Sequence, residues 1–348
     1  MTRIAEARSL DPMSAIHPNQ AGIRDPHPLF LFPNLPALGI FIPMNPIAHP
    51  SRRHFLKQLA ATGAACAAWP LSPRLPAAQP TPRFACVAFS KPFQKLGPDE
   101  TADLVAEVGW DGIECPVRKG GQIEPDRVEE DLPRLVEALA RRGKRIEIMT
   151  TDITDANDPK TQRVLRAGAK LGIRHYRLAH LRYDPQRPIP EQLSAFRLRM
   201  KELETLNREL GVCGGYQNHS GSGYVGGPVW DIHEMIRDCD PRHLGTHFDI
   251  GHATVEGGYA WRTHARLMTP FFSAVYVKDF YWKKAGSNWQ AEWRPLGEGM
   301  ISREFFNLLK QSNFAGPISQ HHEYPLGDKS AMIQSFKKDL IVLRQWLA

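Results

Sequence analysis

From residue 84 onward, short apolar segments alternate with longer segments in which apolar side chains recur every three or four positions. This pattern predicts buried strands that alternate with amphipathic helices. In the first long segment, for example, Leu104, Val105 and Val108 share one helical face. The predicted strands are 84–89, 112–115, 145–149, 175–179, 212–218, 244–249, 273–278 and 317–322. The predicted helices are 99–108, 126–142, 160–171, 191–210, 228–239, 259–267, 303–311 and 329–347.

Eight strand–helix units predict a single α/β domain, a closed (β/α)₈ TIM barrel, because that fold is built from eight such units in about 250 residues. A doubly wound open sheet would carry a glycine-rich first turn, and residues 89–92 (FSKP) contain no glycine. No linker or shift in composition divides the region, so we assign 81–348 to this domain. The insertion 280–299, rich in Trp, Lys and Gly, is predicted to form a lid after the seventh strand.

The first eighty residues have the features of an export signal. Residues 51–57 (SRRHFLK) match the twin-arginine consensus, and a weakly apolar, Ala-rich stretch and a Pro/Ala segment follow them. We therefore predict a twin-arginine signal peptide at 44–80, which would direct the protein to the periplasm, and a non-structural extension at 1–43. The apolar stretch is shorter than the roughly 20 residues of a membrane-spanning helix, so no stable membrane span is expected.

Composition narrows the classes of partner. The chain is 42% hydrophobic and 23% charged, which is typical of a globular protein with a large core. Its net charge of +7 is concentrated before residue 79, where seven Lys or Arg accompany three Asp or Glu. The rest of the chain is nearly balanced, so nucleic acid is not expected as a partner. The five cysteines form no C-x-x-C pair, which argues against a zinc knuckle or a redox motif.

Polar side chains occur at the ends of most predicted strands. Because the catalytic groups of a TIM barrel lie at the carboxyl ends of its strands, these side chains should converge on one mouth. They are Glu114, Thr150, Asp152, His180, Gln217, Asn218, His219, Asp249, His252, Lys278, Asp279, His321 and Glu323. Carboxylates, imidazoles and amides together suit a divalent cation that polarises the oxygens of a sugar. A small carbohydrate is therefore the expected partner.

Strand alternation refines this set. In the eighth strand it sends His321 and Glu323 to the pocket and His322 towards the helices. Other interpretations stay open at several positions. Glu114 could be a structural carboxylate, Asn218 and His219 could cap the following loop, and Lys278 could belong to a surface ion pair with its neighbour.

The order of five short motifs resembles the sugar-phosphate isomerase/epimerase family of xylose-isomerase-like barrels. The motifs are GIE at 112–114, QNH at 217–219, FDIGH at 248–252, VKD at 277–279 and GPI at 316–318. The resemblance implies an enzyme that holds Mn²⁺, Mg²⁺ or a similar ion with a Glu after the fifth strand, an Asp after the sixth, a His on the seventh and a Glu on the eighth. It also implies that the two Glu residues shuttle a proton between neighbouring sugar carbons.

The chain departs from the family at three of these four ligand positions. Only Asp249 is retained, because Gln217 replaces the first Glu, Tyr276 the His and His321 the last Glu. A Gln carbonyl can bind a hard cation but cannot accept a proton at neutral pH. We therefore predict a weaker site for a divalent metal ion formed by Gln217, Asp249 and His321, with Glu323 as a further candidate ligand.

The strand-end positions and the resemblance together suggest roles for individual residues. The candidate proton-transfer residues are His219, Lys278, His321 and Glu323. The candidate substrate contacts are Glu114, Asn218, His252 and Trp282.

These roles predict a carbohydrate isomerase or epimerase that abstracts a proton next to a sugar carbonyl with the help of a metal ion. Two alternatives stay open. One is a lyase or hydratase acting on oxidised (keto) glycosides, for which a single base suffices. The other is a non-catalytic periplasmic sugar-binding barrel, which the loss of carboxylates would also produce.

Overall fold

The structure, a computed structural model, describes residues 84–348. The predicted signal peptide at 44–80 and the extension at 1–43 lie outside the described residues. Within the described range, no helix is long and apolar enough to cross a membrane.

Eight parallel strands close into a barrel, which confirms the predicted TIM-barrel fold. In chain order the strands are β1 (Cys86–Phe89), β2 (Gly112–Val117), β3 (Arg145–Thr151), β4 (His175–Arg177), β5 (Cys213–Gln217), β6 (Leu244–Asp249), β7 (Phe272–Val277), β8 (Asp279–Ala285), β9 (Asn288–Arg294) and β10 (Ile318–Gln320). Strand β10 pairs with both β1 and β7 and so closes the ring. Strands β8 and β9 form a separate antiparallel hairpin.

Helices pack around the barrel through apolar faces that share one large core with the strands. They are α1 (Pro98–Val108), α2 (Val128–Ala140), α3 (Pro159–Lys170), α4 (Ile189–Leu210), α5 (Val229–Ile236), α6 (Ile250–Gly257), α7 (Trp261–Met268), α8 (Glu304–Gln311) and α9 (Lys329–Leu347). The face of α1 formed by Leu104, Val105 and Val108 is buried as predicted.

Helix α6 differs from the sequence prediction, which placed the helix of the sixth unit only at 259–267. The additional helix begins directly after β6 because the Asp249 side chain caps it, accepting a hydrogen bond from the backbone amide of His252 (2.9 Å). Its small residues give no apolar periodicity. A Cβ atom at Gly251 would lie 2.8 Å from the Lys278 side chain, so glycine lets α6 pack against the end of β7.

Side chains fill the interior of the barrel. Ile148, Ala274 and Tyr276 form a buried cluster that is separate from the main core. The Tyr276 hydroxyl lies 2.7 Å from Nδ1 of His247. Gly215 in β5 makes room for that imidazole, since a Cβ atom at position 215 would lie only 1.9 Å from the ring. The groups at the strand ends therefore rest on a packed interior.

The hairpin β8–β9 occupies the insertion that was predicted to form a lid. Its register pairs Phe280 with Trp293 and Trp282 with Ala291. Because paired residues point to the same side of a two-stranded ribbon, these side chains share one face of the hairpin. From this face Trp293 contacts the barrel mouth, where the centroid of its ring lies 4.5 Å from Nζ of Lys278.

Asp279 fastens the hairpin to the barrel. Its carboxylate accepts hydrogen bonds from the backbone amides of Gly297 (2.9 Å), Gly299 (3.1 Å) and Ile301 (3.0 Å). Both Asp279 and the preceding Lys278 are buried. The interpretation of these two residues as a surface ion pair is therefore wrong, and Asp279 is a structural residue.

Candidate functional site

The carboxyl ends of the barrel strands bring polar and charged side chains together at the mouth. These side chains are Glu114 in β2, Arg177 at the end of β4, Gln217 at the end of β5, Asp249 at the end of β6, Lys278 after β7 and His321 after β10. All six residues are buried. The mouth is therefore a buried polar cluster in which each charge requires a partner.

Asp249 lies at the centre of this cluster. Its Oδ2 accepts a hydrogen bond from Nε2 of Gln217 (2.8 Å) and lies 3.3 Å from the Lys278 ammonium. The Asn218 side chain holds the Asp249 backbone at both its N–H and its carbonyl (2.8 Å each). Asn218 therefore positions the strand end, whereas the sequence analysis proposed it as a substrate contact.

Lys278 links Asp249 to the outer part of the mouth. Its Nζ lies 2.7 Å from Nε2 of His252 and 3.1 Å from Oε1 of Glu323. The indole of Trp293 covers the ammonium, with 4.5 Å between Nζ and the ring centroid. The Lys278 side chain is only 2% exposed. The β8–β9 hairpin thus covers this lysine with one aromatic ring.

Arg177 belongs to the site, although the sequence analysis did not identify it. Its Nη1 donates to Oε1 of Gln217 (2.6 Å) and lies 3.1 Å from Nε2 of His180. Burial and the charge of Arg177 lower the pKa of His180 to about 2, so that imidazole is neutral. The sequence did contain a signal for this role. Arg177 lies inside the predicted strand 175–179, and a charged side chain in a buried strand needs a buried partner.

Glu114 in β2 and His321, which directly follows β10, form a second buried pair. Nε2 of His321 lies 2.9 Å from Oε2 of Glu114, and Ser319 donates to the same oxygen (2.7 Å). Burial by itself raises the pKa of Glu114, but His321 and then Arg177 lower it to well below its usual value. Glu114 is therefore an ionised carboxylate that is already fully paired within the protein.

Three imidazoles form a row beside Lys278. The ring centroids of His219 and His252 are 4.1 Å apart, and those of His180 and His219 are 4.6 Å apart. Nδ1 of His219 lies 2.8 Å from the carbonyl oxygen of Ser220, which can only accept, so Nδ1 carries the proton of the neutral ring. Burial and the charge of Lys278 lower the pKa of His219, which leaves Nε2 with a lone pair at neutral pH.

Glu323 is the most accessible acid at the mouth, with 31% of its side chain exposed. Burial raises its pKa, but the charges of Lys278 and His321 outweigh that effect and lower the pKa to about 2. The carboxylate is therefore ionised. His322 points the other way, with its ring 4.5 Å from that of Phe336 in α9, as strand alternation predicts.

The predicted metal ligands are not arranged as a ligand set. Gln217 turns its amide nitrogen towards Asp249 and its carbonyl towards Arg177, while Nε2 of His321 engages Glu114. Across residues 84–348, no group of three or more His, Cys, Asp or Glu side chains is placed to hold a metal ion. An ion bound to Asp249 would also lie beside the buried Lys278 ammonium, which repels it and already occupies that side of the carboxylate. The residues present do not fit a resident divalent cation.

Two further candidates lie away from the cluster. Trp282 is 37% exposed and packs edge-on against Phe280, so Trp293 rather than Trp282 covers the mouth. Asp152 accepts a hydrogen bond from the backbone amide of Lys119 (3.1 Å) at the exposed end of β3. Both residues were proposed because of their positions in the sequence. Position in the sequence does not show how far a side chain lies from the barrel axis.

Residues 102–345 match the family described as Xylose isomerase-like TIM barrel. The chain belongs to this family. No curated protein matches the chain by sequence. This membership confirms the family resemblance that the sequence motifs suggested.

Solved structures with the same xylose-isomerase-like fold show low sequence identity. The 3-keto-D-glucoside 4-epimerase from E. coli is 16% identical, with a TM-score of 0.57 over 75% of this chain and 99% of that chain. A xylose isomerase-like TIM barrel protein from Mycobacterium smegmatis in complex with magnesium is 16% identical, with a TM-score of 0.52 over 76% and 97%. A probable 3-DHS dehydratase from Bacillus anthracis is 12% identical, with a TM-score of 0.56 over 75% and 99%.

Proposed function

We propose that this protein is a carbohydrate isomerase or epimerase that abstracts a proton from the carbon next to a sugar carbonyl. Its family and the sugar epimerase among its fold neighbours support a sugar substrate. The observation that carries the proposal is the pair of bases beside Lys278. Ionised Glu323 lies 3.1 Å from the ammonium, and the neutral ring of His219 lies 4.1 Å from that of His252, which itself contacts Lys278.

The two bases have complementary properties. Glu323 is partly exposed and acceptor-only, so it can take the proton from a sugar carbon at the edge of the mouth. His219 offers Nε2 as an acceptor because Ser220 holds its Nδ1–H, and once protonated it can return a proton. Breaking the C–H bond moves its electron pair to the carbonyl oxygen and produces an enediolate. Returning the proton to the neighbouring carbon isomerises the sugar, and returning it to the other face of the same carbon epimerises it.

A lyase acting on keto glycosides is the second candidate. Gln217 cannot act as a base, which leaves Glu323 as the one partly exposed carboxylate beside Lys278. Elimination needs a single base, since the same enediolate can expel a leaving group from the next carbon. The dehydratase among the fold neighbours performs a reaction of the elimination class by its printed name.

Proton NMR in D₂O tests the proposal and separates the candidates. The purified protein is incubated with unphosphorylated ketohexoses and with a 3-keto-D-glucoside. Loss of a C–H signal without release of aglycone supports the isomerase or epimerase, and loss with release supports the lyase. Binding without exchange would instead support a sugar-binding barrel. Glu323→Gln should reduce the exchange rate about 100-fold or more, while Glu209→Gln on the exposed side of α4 serves as the matched control.

We further propose that the enzyme works in the periplasm after twin-arginine export. The support is the sequence SRRHFLK at 51–57 and the Ala-rich stretch that follows it. A periplasmic location favours unphosphorylated sugars as substrates. Fractionation of cells that express the whole chain, compared with a variant carrying Arg52→Lys and Arg53→Lys, tests this directly. Retention of the variant in the cytoplasm supports the proposal, and equal export of both proteins contradicts it.

A further inference from the structure

We infer that the Lys278 ammonium performs in this barrel the electrostatic task that a divalent ion performs in metal-dependent relatives, so that proton transfer here needs no metal. The inference rests on the proposed function and specifies the group that receives the developing oxyanion. It also assigns Arg177 as a positioning residue for that arrangement.

Asp249 is the one ligand position that the chain shares with the family pattern. Its Oδ2 faces the Lys278 ammonium at 3.3 Å and the Gln217 amide at 2.8 Å, and its Oδ1 caps α6. Both oxygens therefore have partners from the protein itself. The positive charge that this carboxylate needs is supplied by a side chain covalently attached to the end of β7.

Gln217 occupies the position at which the family pattern has a carboxylate. Arg177 donates to its Oε1 at 2.6 Å, and this fixes the amide so that Nε2 points towards Asp249. Rotating the amide would place two donors, Nη1 and Nε2, against each other. The guanidinium therefore holds Gln217 in the orientation that presents a donor, rather than a metal ligand, to the centre of the mouth.

His321 replaces the last carboxylate of the family pattern. Its Nε2 pairs with buried Glu114 at 2.9 Å, and its Nδ1 lies 3.9 Å from Glu323. The family's His position is Tyr276, whose hydroxyl is 2.7 Å from His247. Two buried carboxylates, Asp249 and Glu114, thus each lie within contact of a nitrogen atom of a basic side chain of the protein itself.

The neighbours of Lys278 limit how a substrate can reach its ammonium. Three of its neighbours are His252, Glu323 and Asp249, and its remaining side is covered by the Trp293 ring. The ammonium has three N–H donors, and His252, Glu323 and Asp249 surround it, so a sugar carbonyl oxygen that displaces the ring must also replace Glu323 as the acceptor of one N–H. It would then gain a charge-assisted hydrogen bond at a buried ammonium. Glu323, released from that hydrogen bond, would lie beside the adjacent carbon. The C–H electron pair moves to the carbonyl oxygen, the proton moves to Glu323, and Lys278 donates to the oxyanion.

The experiment uses the purified full chain, freed of metal by dialysis against EDTA and checked by plasma mass spectrometry. Proton exchange into a 3-keto-D-glucoside and into ketohexoses is followed in D₂O with EDTA present and again with added Mn²⁺ or Mg²⁺. Calorimetric titration with MnCl₂ alone provides a readout that does not depend on activity. The variants are Lys278→Met, Lys278→Arg and, as the matched control, Lys284→Met at an exposed position of the hairpin.

The inference predicts that exchange persists in EDTA, changes less than twofold on adding metal, falls about 100-fold or more in Lys278→Met and is partly retained in Lys278→Arg. It also predicts that MnCl₂ shows no stoichiometric binding. Exchange that disappears in EDTA and returns with Mn²⁺ would overturn the inference while leaving the proposed function intact. If no sugar exchanges, the proposed function falls, and stoichiometric binding of Mn²⁺ by the wild-type protein would independently overturn the inference. Because the wild-type measurements decide both questions, a Lys278→Met protein that does not fold leaves the test complete.

Discussion

The Lys278 ammonium lies 3.3 Å from the Asp249 carboxylate, and both side chains are buried at the mouth of the barrel. Neither charge can be satisfied by water, so each depends on the other and on a small number of neighbours. The pair joins the end of β6 to the end of β7. It also places a fixed positive charge beside the two candidate bases, Glu323 and His219.

Removing one member of this pair should destabilise the fold strongly. Asp249→Asn leaves the Lys278 charge buried with Glu323 as its remaining acidic contact, and breaking a buried pair typically costs about 3–5 kcal/mol. Asp103→Asn removes a carboxylate of similar size from an exposed pair with Arg142 and should cost no more than about 1 kcal/mol. Urea unfolding of both variants measures the difference, and equal losses would contradict the importance of the buried pair.

The pH dependence of activity should report His219. Burial and the charge of Lys278 lower its pKa from the ordinary value of 6.5, so the neutral, proton-accepting form persists below that pH. We expect kcat/KM to be level from pH 8 down to 6.5 and to fall only at lower pH. A profile recorded in His219→Gln should lack this limb. A midpoint above pH 6.5 in the wild-type protein would rule out His219 as the base responsible.

The pH dependence of stability should report Asp339, a buried carboxyl away from the mouth. Burial raises its pKa to about 7, although Tyr324 and the amide of Leu296 donate hydrogen bonds to it. Because the folded state keeps the proton that the unfolded state releases near pH 4, this contribution to stability is lost as the pH rises towards 7.

Asp339→Asn removes that titration, and the comparison with wild type isolates it. The stability of the variant relative to wild type should grow by about 2 kcal/mol between pH 5 and pH 7. Denaturant unfolding at both pH values provides the measurement. A difference that does not change with pH would mean that Asp339 is ionised in the folded protein.

The Trp293 ring should move when a sugar reaches Lys278. Because this indole covers the ammonium at 4.5 Å, we expect sugar binding to change its fluorescence. The change should be lost in Trp293→Phe and kept in Trp289→Phe, where the replaced ring is 62% exposed at the far end of the hairpin. Titration with a 3-keto-D-glucoside tests this, and a fluorescence change in Trp293→Phe as large as that of the wild-type protein would exclude the ring from the binding event.

The fold could be predicted from the chain almost completely, because buried strands and amphipathic helices have different periods. The strand at 244–249 and the helix at 329–347 coincide with β6 and α9. Helix α6 could not be predicted, since its start depends on the Asp249 cap and its packing on the absence of a side chain at Gly251. Neither feature produces an apolar period.

The candidate site was predictable as a set of positions but not as a set of contacts. Strand ends identified Gln217, Asp249, Lys278 and His321, because backbone topology alone brings them to one mouth. The sequence could not show that Gln217 faces Arg177, since that contact joins β4 to β5 through side-chain orientation. The expected metal set was therefore reasonable from residue types, and the geometry gives each of its members another partner.

A crystal structure of the protein with a bound 3-keto-D-glucoside, grown with MnCl₂ and recorded at the manganese absorption edge, tests the central claim most directly. The account predicts a sugar oxygen at about 3 Å from Nζ of Lys278, with Trp293 displaced and no anomalous peak beside Asp249. An anomalous peak coordinated by Asp249 and Gln217, with Lys278 moved aside, would contradict it.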